Sequence, residues 1–531
     1  MTLRSISLCP LEVKDSKTTG IQLLKHSIAH GTYPYSPCLK FLTLLLATFK
    51  MVHSAALARF ALVLAATPLT SADVTTVINA PSNWGTWEGW GTSLAWWAKQ
   101  FGNRDDLADA FFTLKSTKVD SQTLPGLGFN IVRYNAGASS WKAVGTERMV
   151  ESSNIKRSRQ IEGFWVDWTS ADPSSSSWDW SVDGNQRSAL QKAIARGANR
   201  TELFSNSPMW WMCNNHNPSG ASDGGENIQS WNLEQHAIYM ATIAKVFQDR
   251  WGIRFESVDP FNEPTANWWK ASGTQEGCYM SVSTQATIVN YLSSHLSSRG
   301  LSTRIAASDE SYYDQALKTL QTIGSGALSK ITRISVHGYQ YGSGNRGGLR
   351  DAAASAGKPV WLNEYGDGVA SGENMARYLL QDMRQLRPTA WVYWQVLDGG
   401  GWGLIDADND SNRLGSATQK YFVLAQFARH IRPGMRILDA GRDNVVAAYD
   451  ASASKLVIVA VNWDAAQYIN FDLSRFSQRP AEGAMITRWR TQIGSGDRYV
   501  QYTDTKMSGT KFWSQFDKNT VQTFEVTGVK L

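Results

Sequence analysis

Apolar and polar residues follow two different periods along the chain after residue 88. Short apolar runs typical of strands lie at residues 89–94, 128–134, 202–205, 253–258, 303–308, 332–337, 359–363 and 390–395. Between them, windows with the 3.6-residue period of helices cover residues 104–114, 188–196, 232–251, 312–322, 349–356, 375–386 and 419–431. Eight strands in alternation with helices, taken as eight strand–helix units, match the number in a (β/α)8 barrel, so we predict an α/β fold with a TIM barrel over residues 89–432.

The pattern changes to a two-residue period after Gly434, and no helical window follows. Runs at 444–449, 455–462, 468–473, 484–489 and 521–526 predict short strands joined by Gly, Ser and Asp turns. We therefore predict a β-sandwich side domain over residues 433–531. A strand at 74–79, within the segment 73–88 that precedes the barrel, is expected to join this β-domain.

Residues 1–72 are predicted to be a leader. A charged segment from Met51 to Arg59 leads into an apolar run at 60–66 and the small residues Ser71 and Ala72, which is the layout of a secretory signal. The apolar run is too short to span a bilayer. We expect cleavage near Asp73 and a secreted, extracellular protein. Met51 could be the true start, with 1–50 mis-assigned, or the leader could be genuinely long.

The basic charge of the chain is concentrated in this leader. Residues 1–72 hold seven of the 52 Lys and Arg and two of the 46 Asp and Glu, which leaves 45 basic and 44 acidic residues, or +1. No basic patch therefore indicates nucleic acid or an anionic membrane as a partner. The 23 Trp residues instead suit sugar faces, although most must pack in the core.

Two cysteines and two sequons bear on export. Cys213 and Cys278 remain after the leader is removed, and an even pair in a secreted chain is a candidate disulfide. Asn199 and Asn409 stand in Asn-x-Ser/Thr sequons and are candidate glycosylation sites.

Two acids stand at the ends of predicted strands. Glu263 lies between Pro260 and Pro264, which cannot donate to a sheet and so end the fourth strand. Glu364 ends the seventh strand. In a TIM barrel both side chains reach the mouth where active sites form. A pair of carboxylates there suits glycoside hydrolysis, one as acid/base and one as nucleophile.

Seven fragments in order resemble glycoside hydrolase family 30 from about residue 74 to the end. They are Gly89–Trp97, Arg133–Asn135, Asn206–Met212, Asn262–Pro264, His337–Tyr339, Asn363–Glu364 and Tyr393–Gln395. The loops at 83–90 and 210–213 look most like the fungal endo-β-1,6-galactanases of that family. The resemblance implies a retaining enzyme with Glu263 as acid/base and Glu364 as nucleophile, acting on β-1,6-galactan side chains of arabinogalactan.

The resemblance also implies a set of substrate-binding residues. They are Trp96, Arg133, Asn135, Trp210, Asn262, His337, Tyr339 and Trp394. Taken from the residues alone, Arg133 could instead pair with any buried acid, and His337 could satisfy a core hydrogen bond. Glu310, at the end of the fifth strand, could support the acid/base or cap the next helix.

Other functions were weighed against this hypothesis. β-1,6-Glucan is the alternative substrate, and a non-catalytic carbohydrate-binding protein is a remote alternative that retention of both acids disfavours. Gly342–Gly347 matches a dinucleotide fingerprint, but four residues separate it from its strand, which argues against a nucleotide site. We expect no cofactor, no metal site and a monomer with a polysaccharide substrate.

Overall fold

The computed structural model describes residues 73–531, so the predicted leader lies outside the described residues. The strands are β1 (Val74–Val77), β2 (Gly89–Ser93), β3 (Ser116–Val119), β4 (Gln122–Pro125), β5 (Ile131–Asn135), β6 (Arg200–Phe204), β7 (Ser257–Asp259), β8 (Arg304–Glu310), β9 (Ile331–His337), β10 (Val360–Tyr365), β11 (Ala390–Tyr393), β12 (Ile405–Asp408), β13 (Arg413–Ala417), β14 (Arg436–Leu438), β15 (Val445–Asp450), β16 (Lys455–Asn462), β17 (Gln467–Asp472), β18 (Met485–Gln492), β19 (Val500–Lys506), β20 (Lys511–Phe516) and β21 (Thr520–Thr527).

The α-helices alternate with the first half of these strands. They cover Ala95–Phe101, Asp105–Phe112, Gly184–Ala195, Leu233–Trp251, Val282–Ser298, Tyr313–Thr322, Ser325–Leu328, Arg346–Ser355, Glu373–Gln381 and Gln419–Ala428. Short 3-10 turns lie at Arg157–Arg159, Trp210–Met212 and Ser230–Asn232, and a π-helical turn lies at Asp382–Leu386. Within residues 73–531, none of these helices combines the length and the apolar character needed to cross a bilayer.

Eight parallel strands close into a barrel, which confirms the predicted TIM fold. Their order is β2-β5-β6-β7-β8-β9-β10-β11, and β11 pairs with β2 to complete the ring. Because the strands are parallel, all their carboxyl ends open at one mouth, where the loops of a TIM barrel build the functional site.

Two sheets form the strand-rich C-terminal part. One has six strands in the order β14-β15-β16-β21-β18-β19, and the other has three in the order β1-β17-β20. Strand β1 runs parallel to β17, with Val74 opposite Ile469 and Val77 opposite Asp472. Alternate residues of both sheets, including Ile458, Phe471 and Phe524, point inward and form a separate apolar core.

The last helix of the barrel, Gln419–Ala428, lies between the barrel and the six-stranded sheet. All ten of its residues are buried. On the sheet side, Gln426 donates to Thr491 at 2.8 Å and accepts from Thr523 at 2.6 Å. These bonds satisfy a polar side chain that would be costly to bury unpaired.

The structure contains elements that the sequence pattern did not reveal. The helix Val282–Ser298 and the strands β19 and β20 were not predicted. In the helix, Ser and Thr interrupt the apolar stripe. In β19 only Thr505 is buried, so the sequence of this strand does not show the alternation of apolar and polar residues that marks a half-buried strand.

Candidate active site

The two acidic residues meet at the mouth of the barrel. Glu364 lies in β10, and Glu263 follows β7 after a short turn. Their side chains are almost buried, and one carboxylate oxygen of each lies within 4.8 Å of the other. Retaining glycosidases place their two carboxyl groups about 5–5.5 Å apart, whereas inverting enzymes need roughly 6.5–9.5 Å. The spacing fits the retaining geometry.

The backbone of Glu263 is fixed on both sides. Its N–H donates to the carbonyl of Asp309 at 2.7 Å, and the indole of Trp269 donates to its carbonyl at 2.9 Å. The residue has a positive φ of 47°, a conformation that costs a non-glycine residue about 1–3 kcal/mol and persists only where neighbours impose it. The carboxyl group therefore has a set direction into the cleft.

Both oxygens of Glu364 accept hydrogen bonds. Arg133 donates to one at 3.0 Å, and the hydroxyl of Tyr339 donates to the other at 2.8 Å. Burial raises the pKa of Glu364, while the positive charges of His337 and Arg133 act to lower it. The donors fix the carboxylate for attack in one direction.

His337 lies between the two acids. Its Nδ1 is 3.2 Å from an oxygen of Glu263 and 3.6 Å from an oxygen of Glu364, and its Nε2 is 3.4 Å from Asp309. Burial would lower the pKa of His337, but the carboxylates of Glu364 and Asp309 raise it to about 10. A positive charge on the ring attracts both carboxyl groups and screens the repulsion between them.

Asp309 connects the groups beneath the nucleophile. Its carboxylate accepts from Arg133 and, at 2.9 Å, from Asn363, the residue before Glu364. Burial acts to lower the pKa of Arg133, but the carboxylates of Asp309, Glu202 and Glu364 raise it. The guanidinium is thus a permanent cation held by three acids.

A cleft of about 580 Å³ opens above these groups. Its walls are largely aromatic: Trp96, Trp268, Trp269, Tyr312, Tyr339, Tyr341, Trp394 and Trp402. Trp96 and Trp394 meet edge to face at 5.1 Å. Asn262 also lines the cleft, and its amide oxygen is buried without a partner among residues 73–531. That oxygen is an unpaired acceptor beside the cleft.

Four of the eight predicted substrate-binding residues do not line the cleft: Arg133 and His337 contact the two acids instead, and Asn135 and Trp210 lie apart from it. Trp210 is fully buried, packed edge to face on His216 and near Trp168, so it belongs to the core and not to a cleft wall. Asn135 is also fully buried, at the end of β5. The sequence places both near the mouth, but it cannot show which way a side chain turns.

The candidate disulfide is not formed in this structure. Cys213 and Cys278 are both buried free thiols. The Cys213 thiol lies 3.7 Å from the carbonyl of Met209, and the Cys278 thiol lies 3.5 Å from that of Tyr279. Burial raises the pKa of Cys278 to about 12 and that of Cys213 well above its usual range. Both sulfurs are thus weak nucleophiles.

The two sequons differ in their surroundings. Asn199 is exposed before β6. Asn409 is buried, and the amide nitrogen that a glycan would occupy donates to the carbonyl of Leu397 at 3.3 Å. The folded chain therefore does not suit a glycan on Asn409.

Several residues at the cleft were not predicted from the sequence. They are Arg159, Trp268, Tyr312, Asp398 and Trp402. They come from long loops in which no periodic pattern fixes a position. Glu310, for which the sequence left two roles open, accepts from Thr265, directly after the Glu263–Pro264 pair, at 2.6 Å and so braces the acid/base loop.

Only one group of three metal-ligand side chains comes together within residues 73–531, and it consists of Glu263, His337 and Glu364. Each of these three side chains already takes part in the contacts between the two acids and His337 described above. The same atoms are well arranged for proton transfer.

Comparisons with known proteins agree with this geometry. A family model described as O-glycosyl hydrolase family 30 matches residues 73–333. The chain is 59% identical over 460 residues to an endo-β-1,6-galactanase of Hypocrea rufa, covering 87% of this chain and 96% of that protein.

Solved structures share the fold. The catalytic domain of xylanase C from Talaromyces cellulolyticus, of family 30, superposes with a TM-score of 0.62 at 18% identity, covering 85% of this chain and all of that one. A conserved exported protein from Bacteroides fragilis superposes with a TM-score of 0.70 at 17% identity, with the same coverage.

Proposed function

The chain belongs to O-glycosyl hydrolase family 30 and is a glycoside hydrolase, and we propose that it cleaves β-1,6-galactan side chains of arabinogalactan from within. The substrate rests on the high identity to the Hypocrea rufa enzyme over nearly its whole length. The chemistry rests on one observation, the approach of Glu263 and Glu364 to within 4.8 Å.

In the proposed mechanism, the carboxylate of Glu364 attacks the anomeric carbon while protonated Glu263 donates to the leaving oxygen. Water then hydrolyses the glycosyl-enzyme, with Glu263 acting as base. Arg133 and Tyr339 hold Glu364 on line for attack. The shared contact with His337 keeps the two carboxyl groups at a fixed separation through both steps.

The shape of the cleft supports attack within a chain. Trp268 and Tyr312, with ring centroids 5.8 Å apart, lie on the side of Glu263, because Trp268 packs on Trp269, whose indole donates to the Glu263 carbonyl. Trp402 lies on the side of Glu364, because its ring packs on Gly366, two residues after Glu364. Sugar rings can therefore be held on both sides of the bond that breaks, as endo-cleavage requires.

The test is incubation with de-arabinosylated arabinogalactan protein, β-1,6-glucan and glucuronoxylan in separate reactions, followed by sizing of the products. Short galacto-oligomers from the first substrate alone are expected. Glucose oligomers from the second, with the first untouched, would overturn the substrate assignment. Proton NMR of the early products should show the β-anomer first, whereas the α-anomer would mean inversion.

We further propose that the protein is exported and acts as a monomer. The leader-like segment 51–72 ends directly before the first described strand, β1. Material from a culture medium should begin near Asp73 on N-terminal sequencing, and sedimentation should give the mass of one chain.

A further inference from the structure

The active-site cleft does not end at Trp402. A second cavity of about 450 Å³ begins there, and three residues line both spaces: Arg159, Asp398 and Trp402. Beyond them, the second cavity runs between the loop at 156–159 and the hairpin of β12 and β13. A volume of this size lies within the range of about 300–1,000 Å³ that small-molecule sites occupy.

The two walls of this second cavity are tied together. The backbone N–H of Ser158 donates to Asp410 at 3.0 Å, and Lys156 pairs with the same carboxylate at 3.6 Å. The loop that carries Trp402 is anchored from below by buried Lys420, which donates to the carbonyls of Asp367 at 2.6 Å and Gly401 at 2.8 Å. These hydrogen bonds and this ion pair hold the loops around the cavity in place.

Polar groups in this space are left without partners. Asn409 lines it and is 6% exposed, and its amide oxygen has no hydrogen-bond partner anywhere in residues 73–531. The guanidinium of Arg159 lies 4.3 Å above the Trp96 ring and makes no hydrogen bond or ion pair within the described chain. A buried acceptor and an unused set of donors along one passage are features of a site that binds hydroxyl groups.

The position of the cavity indicates which part of the substrate it receives. Trp402 packs on Gly366, two residues after Glu364, where an added Cβ would lie 3.1 Å from the indole. The passage therefore leaves the cleft on the nucleophile side, opposite Trp268 and Tyr312. A sugar chain whose reacting unit lies over Glu364 would enter this passage with its non-reducing part.

We propose that the second cavity binds the non-reducing galactosyl units of the chain that precede the unit attacked by Glu364. Arg159, Asp398 and Trp402 contact the unit next to the reacting one, and Asn409 accepts a hydroxyl from the unit beyond it. This proposal rests on the proposed function, since it takes the substrate to be a β-1,6-linked galactose chain.

The test uses aryl β-glycosides that carry one, two, three or four β-1,6-linked galactose units, because the aryl group occupies the leaving side and added sugars extend only into the passage. For the wild type, kcat/KM should rise with each unit up to three. Asn409→Ala should lower kcat/KM by about three- to tenfold for three units, the effect of one lost hydrogen bond, and by less than twofold for one unit.

Asp406→Ala is a second variant, because Asp406 is an exposed residue of the same wall and its removal does not disturb the core. It should reduce the rate for three and four units only. Asn470→Ala, on the distant three-stranded sheet, is the matched control and should not alter the length dependence. Equal losses at every length, or no dependence of the wild-type rate on length, would overturn the proposal.

A parallel series of β-1,6-linked glucose units separates the two proposals. If only the glucose series is cleaved, the substrate assignment fails. The dependence of kcat/KM on chain length in the glucose series then tests the subsite proposal. A glycan found on Asn409 by peptide mass in protein from a eukaryotic secretory host would occupy the cavity and would also overturn the subsite proposal.

Discussion

The imidazole Nδ1 of His337 lies 3.2 Å from a carboxylate oxygen of Glu263. The ring is fully buried, and the carboxylates around it raise the pKa of His337 to about 10 against the effect of burial. A positive charge at this position favours the arrangement in which a negatively charged Glu364 and the acid/base Glu263 share one small space.

The pKa of His337 has a consequence for stability. Because the folded-state pKa lies above its ordinary value of 6.5, the charged ring contributes its full stability below about pH 6.5 and loses it as pH rises through about 10. We expect the difference in Tm between the wild type and His337→Gln to shrink over that interval. A constant or growing difference, measured by calorimetry in steps of one pH unit, would contradict a charged His337.

Replacement of the nucleophile should stop turnover. Glu364→Gln keeps the shape of the side chain but cannot form the glycosyl-enzyme, so kcat should fall by about 10⁴-fold or more. Glu373→Gln, on an exposed helix end, is the matched control and should keep wild-type activity. Residual activity within tenfold of the wild type would mean that another group attacks the sugar.

The acid/base assignment predicts chemical rescue. Glu263→Ala should react slowly with poor leaving groups, because no group remains to protonate them. With an activated aryl glycoside the first step should proceed, and added azide should take the place of the base-assisted water. Detection of a β-glycosyl azide by mass spectrometry and NMR is the expected outcome, and failure of azide to accelerate turnover would count against Glu263.

The aromatic residue on the leaving side should affect binding of the polymer alone. Trp268→Ala removes a ring that is 38% exposed in the cleft, and kcat/KM for the polysaccharide should fall roughly tenfold. A galactobiosyl fluoride, which leaves that side empty, should react at the wild-type rate. Trp231→Ala, a replacement of a 70% exposed ring on a distant turn, should change neither rate.

The thiols offer a direct check of the cysteine geometry. Two free thiols per chain should titrate after denaturation without reductant in protein that begins near Asp73, and neither should react quickly in the native state because both are buried. A titration of zero in the denatured protein would mean that Cys213 and Cys278 are bridged in solution.

Much of the site was accessible to sequence reasoning because strand ends meet at one mouth. Glu263 and Glu364 end strands whose stops are marked by prolines or by the apolar pattern, so their juxtaposition follows from the eight-unit barrel. The same logic failed for Asp309. The register of β8 against β9 shifts between Ser308 and Glu310, and Asp309 has a positive φ of 54°, so alternation did not show that Asp309 faces inward.

Loop residues show the other limit. The sequence alone does not show whether a Trp in a loop faces the cleft or the core. Only the packing of the folded chain shows that Trp210 turns into the core. Arg159 and Trp402 reach one passage from segments more than 240 residues apart in sequence, and no local pattern links them. A sequon predicts a glycan on Asn409, but a three-residue motif does not show that the side chain is buried in the folded protein.

The parallel pairing of β1 with β17 also bears on synthesis. The backbone N–H of Tyr468 donates to the side chain of Asp73, 395 residues earlier in the chain. At about 5–20 residues per second, a ribosome needs roughly 20–80 s to make the partner of the first strand. The edge of β1 thus stays open throughout that interval, and the barrel, whose eight strands all precede residue 394, has time to close first. Premature termination before residue 467 would release a chain whose first strand has no sheet to join.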